Sequence, residues 1–230
     1  LVMVTKQGII KRISLNAYNT ARKGGLIALE LNEGDELAWV RLTDGNQQVI
    51  VATKNGLAIR FEETDVRPMG RQARGVKAIS LREGDCVVGM CVVANDDLIL
   101  TASETGFGRI SNVSDYRLQS RGGKGIKGMV TLEDDFVSNL YTASSLDTFL
   151  FFTNLGRVFW RKVYELPLVS RTARGKAIVN LLELGEKVVE GELPRHGARR
   201  DLLGLAVLND VGQEDFRWTT LAASGQDGVA

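Results

Sequence analysis

Residues that usually carry chemistry are scarce here: one histidine, two cysteines and three prolines among 230 residues. A lone His196 cannot assemble a histidine-centred triad or a histidine metal cluster. Cys86 and Cys91 sit at C-x4-C spacing in an apolar run without a nearby histidine, which argues against zinc and for two reduced, buried thiols in a cytosolic protein. No apolar run approaches the roughly 18–20 residues needed to span a bilayer, and no charged-then-apolar signal peptide opens the chain. A soluble cytoplasmic location without membrane contact is therefore expected, and Asn112-Val113-Ser114 carries no meaning as a glycosylation sequon. The first residues, Leu1-Val2-Met3-Val4-Thr5, already read as a strand, as expected for a piece of a longer chain. No cofactor or metal is expected.

What is present is a repeat. Lys6-Gln7-Gly8-Ile9 recurs as Lys54-Asn55-Gly56-Leu57, Glu104-Thr105-Gly106-Phe107 and Asn154-Leu155-Gly156-Arg157. A second glycine falls at 25, 75, 125 and 175, at intervals of 50. Glu33-Gly34-Asp35, Glu83-Gly84-Asp85 and Glu133-Asp134-Asp135 follow it, with a looser match at Glu183 to Glu186. Within a unit, β-rich runs flank the turns: 49–53 and 57–61 around Asn55-Gly56, and 146–153 and 157–160 around Asn154-Leu155-Gly156. Residues 75–81 alternate, and 86–93 supply a further strand. Four strands in about 50 residues, with no helical period, predict an all-β propeller-like fold with blades at 1–47, 48–97, 98–146 and 147–190. The remainder, 191–230, reads as a degenerate fifth blade opening at Val207-Leu208-Asn209-Asp210, a capping strand or a disordered tail.

The net charge is only +1, but the charges are segregated. The equivalent windows 6–27, 56–77, 106–127 and 156–177 hold 21 of the 29 Lys and Arg and only 5 of the 28 Asp and Glu. Solubility alone does not require such separation. Cations in phase with the blade repeat predict a basic belt, which suits duplex DNA following a rim without regard to base sequence.

The stretch 119–128, Gln-Ser-Arg-Gly-Gly-Lys-Gly-Ile-Lys-Gly, is the most glycine-rich part of that belt. Its G-x-G-x-x-G lacks the following helix of a dinucleotide fold, and no Gly-Lys precedes Ser or Thr as in a P-loop. Glycines without side chains would let backbone N–H groups approach phosphate, with Arg121, Lys124 and Lys127 supplying charge, or would simply reverse the chain.

Residues 119–125 resemble the gyrase A-box, Q-R-R-G-G-K-G, with Ser120 where the family pattern has arginine. Ala21-Arg22-Lys23-Gly24-Gly25, Ala73-Arg74-Gly75-Val76-Lys77 and Ala173-Arg174-Gly175-Lys176 are similar to the family's degenerate boxes. Over about 1–190 the chain resembles the C-terminal domain of the DNA gyrase A subunit, and the topoisomerase IV subunit is a close relative. The resemblance implies a β-pinwheel whose blades exchange strands, with double-stranded DNA wrapped on its outer edge for negative supercoiling. As partners it implies the rest of the gyrase A subunit, together with the gyrase B subunit. It further implies a monomeric, nucleoid-associated domain without catalysis of its own. The DNA-binding residues so implied are Gln119, Arg121, Gly122, Gly123, Lys124, Gly125 and Lys127, with Arg22, Lys23, Arg71, Arg74, Lys77, Arg171, Arg174 and Lys176. Family discs commonly have about six blades where four are clear here. Thr131 to Leu182 resembles the opening blades and 1–100 later ones.

Two other classes compete. A protein-binding propeller accounts for 50-residue units but not for phased cations. An enzyme with a funnel site is disfavoured, since no acid or histidine cluster breaks the repeat. Tyr18, Tyr116, Tyr141 and Tyr164 fall in strand-like repeat contexts and read as packing or rim residues, not as DNA-cleaving nucleophiles.

Overall fold

Val49 and Ile50 are neighbours in sequence, yet they face two different hydrophobic layers. Alternation of side chains along a strand sends successive residues to opposite faces of the sheet. Val49 and Val51 pack with Val2, Val4 and Ile10 of the first repeat, whereas Ile50 and Ala52 pack with Ile99 and Leu140 of the third. The sheet is buried on both faces, so its strand reads as an unbroken apolar run. Fully burying one such Ile or Val is worth about 1.5–3 kcal/mol. The core thus lies between blades.

The computed structural model describes residues 1–19, 24–131, 135–153, 158–173, 175–181, 202–208 and 219–220. The first repeat supplies β1 (Val2–Thr5), β2 (Ile9–Arg12) and β3 (Leu37–Arg41). The second supplies β4 (Gln48–Thr53), β5 (Leu57–Glu62), β6 (Val76–Lys77) and β7 (Val87–Val93). The third supplies β8 (Leu98–Ser103), β9 (Phe107–Asn112), β10 (Ile126–Lys127) and β11 (Val137–Ala143). From the fourth come β12 (Thr148–Thr153), β13 (Val158–Lys162) and β14 (Lys176–Ala177), and then β15 (Leu202–Leu208) and β16 (Thr219–Thr220) follow. All pairings between these strands are antiparallel.

The four sheets run β3-β1-β2-β6, β7-β4-β5-β10, β11-β8-β9-β14 and β13-β12-β15-β16. In the first three, the outermost strand is borrowed from the next repeat: β6, β10 and β14 each complete the blade before their own. This is the strand exchange expected of a pinwheel. β3, β7 and β11 lie at the opposite edges, where β7 packs beside both β3 and β11. The borrowed strands therefore mark the rim.

The acidic turns have a shared structural role. Oδ1 of Asp35, Asp85 and Asp135 accepts from the backbone N–H of Gln7, Asn55 and Thr105 at 2.9, 3.0 and 3.1 Å. Each also accepts from the residue that follows it. In each of the first three repeats one aspartate ties the inner strand to the β-hairpin turn.

Three expectations meet differences. The strand expected over 75–81 stops at Lys77, because the N–H groups of Ala78 and Ser80 donate to Gly8 and Gly123 of neighbouring blades instead of continuing a ladder. A single helical turn, α1 (Ile178–Leu181), follows β14. Leu202–Leu208, assigned from sequence to the tail, pairs with β12 as a strand of the fourth sheet, so Val207 and Leu208 do not open a fifth blade. Asn209, Asp210 and the rest of the tail to Ala230, Thr219 and Thr220 apart, lie outside the described residues.

Candidate nucleic-acid interface

Each borrowed strand ends a loop that rides on the outer strand of the preceding blade. Pro68, Leu118 and Leu168 bridge to Arg12, Arg60 and Ile110 at one end. Val76, Ile126 and Lys176 pair with Ile10, Ala58 and Gly108 at the other. Between these anchors the underlying strand advances two residues while the loop uses eight. The surplus chain bulges outward, forming three rim loops at 68–77, 118–127 and 168–177.

At three of the four positions the second anchor glycine is explained by close approach; Gly25 has nothing within 4 Å and shares only the positive φ, +75°. At Gly125, with φ +73°, a Cβ would stand 2.7 Å from the carbonyl oxygen of Ala58. Gly75 and Gly175 are equally confined, at 2.6 Å from the carbonyl oxygens of Ile10 and Gly108. A side chain there would push the borrowed strand off its host blade.

Five of the fifteen predicted contacts face outward, and three more cations are partly accessible. Arg74, Lys77, Lys124, Lys127 and Lys176 are exposed, and Arg71, Arg121 and Arg171 are half-buried. Arg67 and Arg117, at one repeat position beside these loops, are exposed as well. Arg121 Nε donates to the Asp65 carbonyl at 2.9 Å and its terminal nitrogen to the Lys77 carbonyl at 3.2 Å. Arg171 donates to the Lys127 carbonyl in the same manner. Arginine on one rim loop thus holds the last residue of the loop before it, and the loops form a linked series. Arg74 is paired with Glu30 at 2.8 Å, an exposed contact worth about 0–1 kcal/mol. Arg22, Lys23 and Arg174 lie outside the described residues.

Other members of the predicted set face inward. The Gln119 backbone N–H donates to Arg60 at 2.8 Å, and its side-chain nitrogen is shielded from solvent. The N–H of Gly122 donates to the Ala78 carbonyl at 2.6 Å, and the carbonyl oxygens of Gly122 and Gly123 accept from the Ser80 hydroxyl and N–H at 2.8 Å each. These glycine groups are committed to the neighbouring blade.

Part of the charge counted toward the belt is also turned inward. Lys11, Arg60 and Arg109 are 0%, 5% and 1% exposed. Charge counting registers residue type, not which side of a strand a residue occupies. Lys11 Nζ donates to the carbonyls of Ala28 at 2.8 Å and Arg71 at 2.6 Å. Arg109 donates to Ser170 at 3.2 Å, Ala173 at 3.5 Å, the Tyr116 hydroxyl at 2.9 Å and the Gly128 carbonyl. Burial holds the Lys11 ammonium and the Arg109 guanidinium below their ordinary pKa values, and Tyr116 offsets part of the effect at Arg109. Arg60, lowered by burial too, donates to the carbonyls of Val113 at 2.9 Å and Tyr116 at 3.2 Å, clamping the next blade's 3-10 turn.

These inward residues follow a pattern that a search for surface cations misses. The position of Lys11 is occupied by Ile59, Arg109 and Phe159 in later repeats, and that of Tyr18 by Val66, Tyr116 and Leu166. A cation accompanies a tyrosine and an apolar residue accompanies an aliphatic one. Tyr18 donates to the Ala28 carbonyl at 3.2 Å and Tyr116 reaches Gly128 at 3.5 Å, so each pair shares one acceptor. The signal was in the four aligned repeats.

Residues 1–44, 47–93, 97–144 and 147–189 match the family model described as DNA gyrase C-terminal domain, beta-propeller. The DNA gyrase A subunit of Clostridium acetobutylicum is 57% identical over 77 residues, which is 34% of this chain and 9% of that protein. The corresponding protein of Halalkalibacterium halodurans is 58% identical over 77 residues, with the same coverage of 34% and 9%. The match thus spans about a tenth of the length of these relatives. A solved DNA gyrase A C-terminal domain superposes with a TM-score of 0.67 at 26% identity, covering 76% of this chain and 59% of that one. The C-terminal domain of a DNA topoisomerase IV shares the fold with a TM-score of 0.75 at 23% identity, covering 90% and 61%. Four repeats, three of them completed by a strand from the next, and a family match in the same four registers lead to one assignment: the chain belongs to the DNA gyrase C-terminal domain, beta-propeller family.

Proposed function

We propose that this domain binds double-stranded DNA of any sequence along its rim and bends it around the blades. The observation that carries this reading is positional. Lys77, Lys127 and Lys176 stand exposed on the outermost, borrowed strands of three successive blades, with Arg67, Arg117 and Lys124 beside them. Such a row of cations matches a row of phosphates, which a duplex of any sequence presents. Bending a duplex of 20–30 base pairs by 40–90° costs of order 1–6 kcal/mol, which several phosphate contacts along the arc offset. In a longer protein, bent DNA would be delivered to the cleavage gate of a type IIA topoisomerase for supercoiling. The partners there would be the gyrase B subunit, together with the rest of the gyrase A subunit. On this reading the domain has no catalytic step of its own.

The test is titration of the domain with arbitrary duplex DNA at several salt concentrations, followed by relaxation of a DNA circle by an added topoisomerase. Binding log K should fall linearly with log salt at about 0.9 per phosphate neutralised, and relaxed circles should retain a linking difference. A flat salt dependence would sink the proposal. It would favour a protein-binding propeller, a reading that draws on the 60% and 61% exposure of Trp160 and Tyr164 on the fourth blade.

A further inference from the structure

We infer that Lys11 and Arg109 are positioning residues for the rim loops 68–77 and 168–177, and that Gly122 performs the same task with its backbone for 118–127. The inference rests on the DNA-binding reading of the rim. It starts from an acceptor that recurs in three blades. Ala28, Ala78 and Gly128 hold equivalent places three residues after the anchor glycine. Their carbonyl oxygens receive donors that differ in kind. Ala28 is served by Lys11 and Tyr18, and Gly128 by Arg109 and Tyr116. Ala78 is served by the N–H of Gly122, which lies in the overlying loop itself.

The exchange is forced by side-chain chemistry. In the second blade the two flanking positions are Ile59 and Val66, which have nothing to donate. A buried carbonyl must still be paired, so the loop dips inward until its own amide reaches Ala78. That turn needs the left-handed φ of +80° at Gly122. The equivalent residues in the other loops, Gln72 and Thr172, carry side chains, and there a long buried cation spans the gap from below. Lys11 and Arg109 also grip the loop: Lys11 holds the Arg71 carbonyl, and Arg109 those of Ser170 and Ala173. Drawing these carbonyls inward fixes the height at which Arg71, Arg74 and Lys77, or Arg171 and Lys176, stand on the rim. No carboxylate hydrogen-bonds either cation among the described residues; carbonyl dipoles hold each charge, joined at Arg109 by a tyrosine hydroxyl and the longer-range attraction of Asp115.

The test uses the whole chain with Lys11→Met, Lys11→Arg and, as a surface control, Lys77→Ala. Amide hydrogen exchange of 69–75 and the salt dependence of DNA binding are both read. Lys11→Met should speed exchange in 69–75 at least about tenfold with 119–125 unchanged, and weaken DNA binding about three- to tenfold at an unaltered salt slope. Lys77→Ala should instead lower the slope by about 0.9, the mark of a lost phosphate contact. Lys11→Arg, which copies the third blade, should restore both readouts. Unchanged exchange in 69–75, unchanged affinity, or a slope that falls with Lys11→Met would overturn the inference. If Lys11→Met does not fold, Tyr18→Phe removes one donor to Ala28 and should speed exchange about threefold in the same segment; no change there also overturns it. If the unmodified chain binds no DNA at any salt, the rim reading fails, and exchange alone decides whether Lys11 holds the loop.

Discussion

The loop at 68–77 rests on a buried lysine, and the loop at 118–127 rests on a buried isoleucine. Both leave the host blade at the same register and return to it at the same register. What differs is which partner contributes the hydrogen bond: a side chain from below in one case, the loop's backbone in the other. The glycine-rich stretch that draws the eye in the sequence is therefore half scaffold. Gly122, Gly123 and Gly125 fit the loop closely to Lys77, Ile59 and Ala58 beneath it, and the cations it leaves exposed are Lys124 and Lys127. On the proposed reading, conspicuous glycines and DNA-facing cations share a motif because the cations need a loop of fixed height.

The comparison can be broken at several points. The largest effect is expected where both kinds of loop agree. Gly125→Val combines a left-handed φ with a Cβ 2.7 Å from a backbone oxygen, and should cost about 3 kcal/mol or more in denaturant melts. Gly24→Ala, with nothing within 4 Å, should stay within about 0.5 kcal/mol. Next comes an attempt to convert one seat into the other. Ile59→Lys buries a charge where the Ala78 carbonyl is already taken, and about 2–4 kcal/mol should be lost. Adding Val66→Tyr should recover about 1 kcal/mol, read as the coupling in a double-mutant cycle. No recovery would mean that the cation–tyrosine pairing of the first and third blades is incidental.

A smaller effect separates rim from face. Arg121→Ala with Lys124→Ala should reduce the slope of log K against log salt by about 1.8, whereas Arg41→Ala with Arg82→Ala should leave it unchanged. Equal losses from the two pairs would erase the distinction. Smallest is a pH effect confined to the lysine seat. Lys11 sits below its ordinary 10.5, so on approach to that value from below the folded protein releases its proton first and the unfolded chain holds more. Stability relative to Lys11→Met should therefore rise as the pH climbs toward 10, and then be fully present above 10.5. Tyr18, raised from 10.0 by burial, acts in the opposite sense above that value, so urea titrations should stop at pH 10. A fall across this window would contradict a charged, buried Lys11.

Much of the fold could be read from residues because repetition exposes what a single strand conceals. The interval of 50 between glycines locates four blades, and runs such as 49–53 declare a strand with both faces covered. The borrowed strands were not legible from local pattern, since Val76–Lys77 and Ile126–Lys127 are two residues each and their partners lie in another repeat. Nor was the division of labour among cations. Lys11 and Arg12 are adjacent and equally charged, yet alternation places one beneath a loop and sets the other beside the carboxylate of Glu63 at 3.5 Å. Leu202–Leu208 escaped the period because the fourth sheet takes its strand from beyond the 50-residue interval.

Borrowed strands also bear on how such a chain leaves the ribosome. A blade's inner hairpin emerges first, but its outer edge stays bare until some 65 further residues have followed, as between Arg12 and Lys77. Each nascent edge is thus open to a wrong partner for several seconds at about 5–20 residues per second. A pause in translation inside a repeat would prolong that exposure for the blade already made, not for the one being made.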